Sequence, residues 1–440
     1  MGVVAKSLSL QEIHLSAIGA RWDFAVKLAQ SLALNPCSGL QIIDLSCNFL
    51  EDKGLAQISG VFAKHPKGIH HLNLSHCSLT SKGLNSLCQS LITNRLNSSS
   101  LTYLNLCGNQ MRDDSQMLCS FLAQPNVLAI LDLSNTETPL ELLFPALVRG
   151  CTSALTHLNL SRNPFSTSKK TKDIPPTYKQ FFATTLSLQY LNMSFCKIPP
   201  DALKNLLLGL ACNEALANVE LNLSNNNLGA NGASVLENCI GTVACLTRLD
   251  LSENNLEAEM AGVMQGLAKN KSLLSLNVSK NMTNIKEKYK SSVMEAIVGL
   301  IHNEDTAVSK LNLSDCKLKS EINNVINALG SNQSLQTLDI SGNLMGDVGA
   351  RLLAKALQIN TRLRTINLDR NGISIQGYTD ITYALNSNYS MRHIPFPTYD
   401  LQSVIKTHPD RVDAIIHRMQ ELLQRNSSPH RFRNTAQAFR

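Results

Sequence analysis

The chain has 440 residues, of which 43% are hydrophobic, 5% aromatic and 17% charged, with a formal net charge of +7. That apolar share excludes a disordered chain, no apolar run approaches the ~18 residues of a membrane span, and a mild positive charge without a concentrated basic and aromatic patch argues against nucleic acid as a partner. Seventy leucines and 42 asparagines are far above ordinary usage and point to an internal repeat.

The start, Met1-Gly2-Val3-Val4-Ala5-Lys6, is followed by no apolar h-region, so it does not read as a secretory signal. A cytosolic chain is expected. Its 12 cysteines, which form no C-x-x-C motif, are then read as free thiols, and zinc is not expected. Leu10, Ile13 and Leu15 resemble a degenerate strand, and a helix follows over 22–34. Residues 1–35 are therefore read as a degenerate N-terminal repeat with no obvious polar cap.

From Leu40 the pattern is regular. Leu40-Gln-Ile-Ile43-Asp-Leu45-Ser-Cys-Asn48-Phe-Leu50 fits L-x-x-L-x-L-x-x-N-x-L, the leucine-rich-repeat signature. Aligned on its second Leu-type position, the pattern recurs twelve times from Ile43 to Ile366, at spacings of 27 to 35 residues. Each copy opens with period-two alternation, which predicts a short strand. The Asn that follows, as at Asn109, Asn163 and Asn254, turns the chain and can satisfy loop backbone groups. Cys77, Cys196 and Cys316 take that place in three copies and are read as buried structural thiols. The second half of each copy has helical spacing. The predicted fold is α/β: a leucine-rich-repeat horseshoe solenoid of ribonuclease-inhibitor type, with parallel strands on the concave face and helices on the convex face. The array of about twelve repeats spans 36–390. A single repeat cannot bury enough surface to offset the entropy of ordering it, so stacking must supply the difference.

Two rows of side chains should face the inner side of the strands. One is almost always Asn or Asp, with Ser two places later, and reads as a structural ladder. The other varies: Ile42, His71, Tyr103, Ile130, His157 and Tyr190, then Glu220, Arg248 and Lys310 among later copies. Ordinary solvated variation is the preferred account of this row. The sharper one makes Tyr103 and Tyr190 contacts for a protein or peptide partner. Two overlong copies carry basic insertions, 166–179 with Lys169, Lys170, Lys172 and Lys179, and 284–290 with Lys286, Lys288 and Lys290. Solubility explains exposed lysines; the sharper reading is contact with acidic lipid headgroups.

At the end of the array, Met391, Ile394, Phe396, Tyr399 and Leu401 keep the repeat spacing, but Pro395 and Pro397 replace the inner polar residues, as suits an edge strand. An amphipathic helix over 410–425 follows. A cap made of a strand and this helix is expected over 391–426, with Pro395, Phe396, Pro397 and Tyr399 structural in it, and a basic flexible tail over 427–440.

The stretch His393-Ile394-Pro395-Phe396-Pro397-Thr398-Tyr399-Asp400-Leu401, with the helix ending Leu423-Gln424-Arg425-Asn426, resembles the CARMIL family of capping-protein regulators and myosin-I linkers. The similarity runs from about residue 8 to residue 426. The resemblance implies a repeat domain set between a pleckstrin-like membrane-binding domain and a helical dimerisation domain. It also implies a disordered tail that binds actin capping protein and promotes barbed-end uncapping, in lamellipodium assembly and cell migration. Neither the pleckstrin-like domain nor the capping-protein-binding tail is found in this sequence, which is therefore read as a fragment or short isoform. The expected function is a non-enzymatic scaffold of the actin cytoskeleton, cytoplasmic and at the plasma-membrane periphery. Its partners would be actin-machinery proteins (capping protein through regions not found in this sequence), acidic lipids peripherally, and a second copy through sequence beyond the cap. No catalytic residue, cofactor or metal is expected. The alternatives are a leucine-rich-repeat GTPase-activating protein and a ribonuclease-inhibitor-like or innate-immune binding protein.

Overall fold

A computed structural model describes residues 1–112, 114–165 and 174–428. It divides into two compact units, Met1–Asn226 and a second that begins at Asn227. Both are α/β leucine-rich-repeat solenoids. The first holds strands β1 (Glu12–His14), β2 (Ile42–Asp44), β3 (His71–Asn73), β4 (Tyr103–Asn105), β5 (Ile130–Asp132), β6 (His157–Asn159), β7 (Tyr190–Asn192) and β8 (Val219–Asn222). They pair in parallel, in chain order and in unbroken register. The second holds β9 (Leu246–Asp250), β10 (Ser275–Asn277), β11 (Lys310–Asn312), β12 (Thr337–Asp339) and β13 (Thr365–Asn367), paired the same way.

Alternation makes the strands. The central leucine or isoleucine of each three-residue strand is buried while its two neighbours stay half-buried or exposed, so one side of the strand faces the core and the other does not. The helices of each copy, such as Glu51–Phe62 and Gly346–Ile359, bury their apolar stripe on the opposite side of that core. In each of the twelve copies the residue after the Ser position is left-handed, with φ between 52° and 71° from Cys47 to Arg370. Only Gly108 and Gly342 among them are glycine, so most copies carry a left-handed residue that costs roughly 1–2 kcal/mol.

The turn asparagines offset that cost. Asn163 Nδ2 donates to the Leu133 and Leu160 carbonyls at 2.7 and 3.0 Å, and its Oδ1 accepts from the Thr136 and Thr138 amides at 3.1 Å. Asn48, Asn109, Asn226, Asn281, Asn343 and Asn371 repeat this bridge from one copy to the copy before it. Where cysteine stands in, the thiol takes over the carbonyl contact: Cys77 Sγ reaches Leu45 O at 3.2 Å and Cys196 Sγ reaches Leu160 O at 3.2 Å. Thr136 is a further substitute, with its hydroxyl on Leu133 O at 2.7 Å. Burial pushes the Cys77 and Cys196 thiols up to about 12, which fits small core residues and removes thiolate chemistry near neutral pH.

A second buried asparagine ladder lies at the helix ends, and the leucine pattern does not announce it. Asn94, Asn213, Asn270, Asn360 and Asn388 each donate Nδ2 to two carbonyls at the end of the preceding helix, as Asn94 does to Phe62 O and His65 O at 3.0 and 2.9 Å. These carbonyls lie at or just past helix ends, where intrahelical partners run out. The amide adds to the turn bonds that some of them take, such as His65 N on Phe62 O at 3.3 Å.

The end of the array differs from the expected strand and single helix. Among the described residues after β13, only His393 forms a bridge, to Thr365. Pro395 and Pro397 lie outside any strand, since they have no amide hydrogen to continue one. Two helices follow, Thr398–Thr407 and Pro409–Ser427, and Tyr399 belongs to the first of them. Asp369, which replaces the usual Ser, accepts from the Tyr399 and Asp400 amides at 3.0 and 3.1 Å and so caps that helix. Asp400 in turn accepts from Asn371 N at 3.1 Å, Gly372 N at 2.8 Å and the Tyr378 hydroxyl at 3.0 Å. At the far end of the second helix, Asn426 joins the helix-end ladder through Asn388 O and Met391 O at 3.0 and 2.7 Å. Arg425 beside it donates to Leu385 O and Asn388 O and lies 4.2 Å over the Tyr389 ring. Residues 429–440, most of the expected basic tail, lie outside the described residues.

Candidate functional site

The half-buried face of the strands is where function is sought, because its two outer rows differ in what the backbone demands of them. In the Asn/Asp row, Oδ1 accepts the amide of the residue two places on in every copy: Ser46 N to Asp44 at 2.9 Å, Ser75 N to Asn73 at 3.1 Å, Ser314 N to Asn312 at 2.8 Å. The bond closes a local turn at the strand exit. Links from one copy to the next are fewer, for example Asn159 Nδ2 to Asp132 Oδ2 and Asn277 Nδ2 to Asp250 Oδ2, both at 3.0 Å. The ladder expected from the recurrence of this row in every copy is thus built mainly within each copy.

In the variable row, side chains of neighbouring copies meet one another. In the first unit the His71 and Tyr103 rings stack with centroids 3.8 Å apart and planes 3° apart, and His157 and Tyr190 lie 5.8 Å apart at 30°. The two tyrosines singled out in the sequence therefore each belong to a His–Tyr pair, which the sequence reading missed because the pairing depends on strand register. Burial holds His71 below its ordinary pKa, although Asp44 pulls the other way. At the rim, Arg162 sits 4.3 Å over the Phe195 ring.

In the second unit the same row carries Arg248, Ser275, Lys310, Thr337 and Thr365. The rim there is ionic: Lys280 Nζ meets Glu253 at 2.5 Å, and Arg370 meets Asp315 at 2.8 Å. Gly342 lies between the last two, where a Cβ would collide with Asp315.

The basic insertions divide. Lys169, Lys170 and Lys172 lie outside the described residues. The second insertion is shorter as a loop than the sequence suggests, because the helix Glu287–His302 starts inside it. Lys286 is exposed at its N-cap, Lys288 lies 4.7 Å over the Tyr289 ring, and Lys290 is paired with Glu287 at 2.7 Å with only 13% of its side chain exposed. A helical turn brings residues 287 and 290 together, which takes one lysine off the surface. At the cap, Phe396 and Tyr399 are exposed while Pro397 is buried. Among the described residues, no group of three or more His, Cys, Asp or Glu could hold a metal ion.

The CARMIL-type end of the array, with Asp400, Arg425 and Asn426 tying two helices to the last copy, is matched along the whole repeat region. The model of the CARMIL family leucine-rich-repeat domain matches residues 1–428. The chain belongs to the CARMIL family. It is 40% identical over 427 residues to human "Capping protein, Arp2/3 and myosin-I linker protein 3", covering 96% of this chain and 31% of that protein. It is 33% identical over 430 residues to "Protein CARMIL" of Dictyostelium discoideum, covering 96% of this chain and 40% of that protein. A more distant relative, "Rho GTPase-activating protein gacW" of Dictyostelium discoideum, is 27% identical over 412 residues, covering 92% of this chain and 33% of the other. The chain thus spans about a third of the length of the curated CARMIL relatives it matches.

Proposed function

We propose that this chain is a non-enzymatic protein-interaction scaffold of the actin cytoskeleton, acting with the machinery that caps and uncaps filament ends in lamellipodia and migrating cells. The observation that carries the reading is 40% identity across 96% of the chain with a protein named as a linker of capping protein, Arp2/3 and myosin-I. The architecture supports it: the variable strand row lies on the half-buried face, apart from the Asn/Asp row that closes the turns, while the buried polar groups are engaged in holding copies together. The working division is a degenerate repeat at 1–35, the array at 36–390, a cap at 391–426 and a tail at 427–440. Capping protein would be engaged through family regions beyond those matched here, and homodimerisation through sequence beyond the cap. Acidic lipids would meet Lys286 and Lys288, while Lys290 is already spent on Glu287. On this reading the molecule acts in the cytoplasm, at the cytoskeleton and the membrane periphery, without a nucleic-acid role. No helix among the described residues is long and apolar enough to cross a membrane.

The test is a pull-down from cell lysate on the immobilised chain, read by mass spectrometry, beside a GTP-hydrolysis assay with purified Rho-type GTPases. Recovery of actin end-regulators without stimulated hydrolysis supports the scaffold. Stimulated hydrolysis without such recovery would shift the reading to a GTPase-activating protein, which the gacW relative makes the specific second choice.

A further inference from the structure

The rows on β2 to β7 have a period that no single copy shows. Ile42, His71 and Tyr103 are register partners on β2, β3 and β4, and Ile130, His157 and Tyr190 follow in the same order on β5, β6 and β7. The adjacent row keeps the same period: Asp44, Asn73, Asn105, then Asp132, Asn159, Asn192. An aliphatic residue beside a carboxylate, a histidine beside an amide and a tyrosine beside an amide therefore occur twice in succession. The His–Tyr stacking recurs with them.

The turn bond does not require this pattern. Asn accepts the same turn bond as Asp, as Asn222 does from both the Ser224 amide at 2.9 Å and its hydroxyl at 2.8 Å, matching Asp44 with Ser46 at 2.9 and 2.6 Å. Asp44 and Asp132 thus each carry a negative charge that the turn bond does not need, although Asp132 also holds Asn159 Nδ2 through its second oxygen at 3.0 Å. Glu12 on β1 adds another at the start of the row, 56% exposed beside His14. Neither row carries a lysine or arginine from β2 to β7. His71, held below its ordinary pKa by burial, adds no opposing charge at neutral pH.

Strands lie ~4.8 Å apart, so one three-strand module spans about 14 Å, which an extended chain covers in about four residues at ~3.3 Å each. We propose that this strip is a docking track for an extended basic peptide lying across the strands. Its two equivalent subsites each take one aromatic or aliphatic side chain against a His–Tyr pair and one lysine or arginine at Asp44 or Asp132. It rests on the scaffold reading in naming the chemistry of a partner. Rigid aromatic anchors supply affinity and the carboxylates supply steering and register.

The experiment is selection of a random dodecapeptide phage library on the full chain. Enrichment of lysine or arginine with aromatic or aliphatic residues, recurring about every four positions, is expected. For a selected peptide followed by fluorescence anisotropy, joint Tyr103→Ala and Tyr190→Ala should weaken binding at least about tenfold. Joint Asp44→Asn and Asp132→Asn keeps the turn bonds and gives up only the Asn159 link at Asp132. It should weaken binding about fivefold while flattening its salt dependence, and Asp44→Asn alone, which disturbs no link between copies, should give about half of that loss. The asparagine pair decides if the tyrosine variant fails to fold by circular dichroism. An acidic consensus, no enrichment, binding unmoved by the asparagine pair, or self-association that the tyrosine variant abolishes would each overturn the track. Selection of basic peptides alongside a failed actin-regulator pull-down would sink the scaffold reading and leave the track standing.

Discussion

The inner strand faces of the two units are built on one frame and finished differently. Both use an Asn or Asp that closes the strand exit, and a buried amide that bridges to the copy before. On that frame the first unit places aliphatic and His–Tyr triplets, while the second places threonine, serine, arginine and lysine with ion pairs at Glu253–Lys280 and Asp315–Arg370. The difference teaches that the frame is set by backbone accounting and the surface is not. Every copy must satisfy the same buried amides and carbonyls, so those positions barely vary. The outer row does not close the strand-exit turn, and its residue types change from copy to copy.

The sharpest way to break this comparison is to remove a frame amide from each unit. Asn163→Ala and Asn343→Ala each strand several buried backbone groups, and at ~1–3 kcal/mol per orphaned group the loss should reach about 3–5 kcal/mol in both. Urea midpoints measure it; a large loss in one unit and a trivial one in the other would show that the frame is not shared. Next in size is the cap. Arg425→Ala removes three donor contacts to the last turn before the cap and a ring contact, and should cost about 2 kcal/mol. Faster amide hydrogen exchange confined to the helix Pro409–Ser427 is the expected signature, and unchanged protection there would exclude a holding role.

A smaller effect is pH-dependent and belongs to the first unit. His65 is 4% exposed, neither ring nitrogen has a partner, and burial, helped by Lys67, lowers its pKa. The unfolded chain then takes up a proton first as pH falls, so this contribution is intact above about pH 6.5 and is lost on acidification below it. His65→Leu should flatten the fall in melting temperature between pH 7 and 5. An equally steep fall in the variant would assign the loss to other groups. Smallest of all, Arg370→Ala should cost under ~1 kcal/mol, because the pair with Asp315 is substantially exposed. A larger loss would mean that the rim of the second unit belongs to its frame after all.

Much of this was legible in the amino-acid order. The turn asparagines, their cysteine stand-ins and the strand centres follow from a fixed spacing, because each copy repeats one backbone path. The helix-end ladder was as regular, since Asn94, Asn213, Asn270, Asn360 and Asn388 lie 21 or 22 residues beyond the strand centres Leu72, Leu191, Leu249, Leu338 and Ile366. The leucine signature ends before the helix, however, and what these amides bond depends on the helix end of the copy before. Thr136 escaped because a hydroxyl replaces an amide only once its geometry is known. In the cap, the two prolines were visible, but not that Asp369 would start a helix at Thr398. The triplet on β2 to β7 was also on view in the order of residues. Its meaning depended on register, which places residues 29 and 32 positions apart side by side.

By itself the sequence determined the fold class, the core and the place of each turn, because period and hydrophobic alternation act locally and recur. Tertiary structure alone decided which side chains from different copies meet: the His–Tyr stacks, the Asp315–Arg370 pair that reaches over Gly342, the covering of Lys290 and the hold of Asn426 on the last copy. Those contacts depend on the exact length of each copy and on strand register, and neither is encoded in any one repeat.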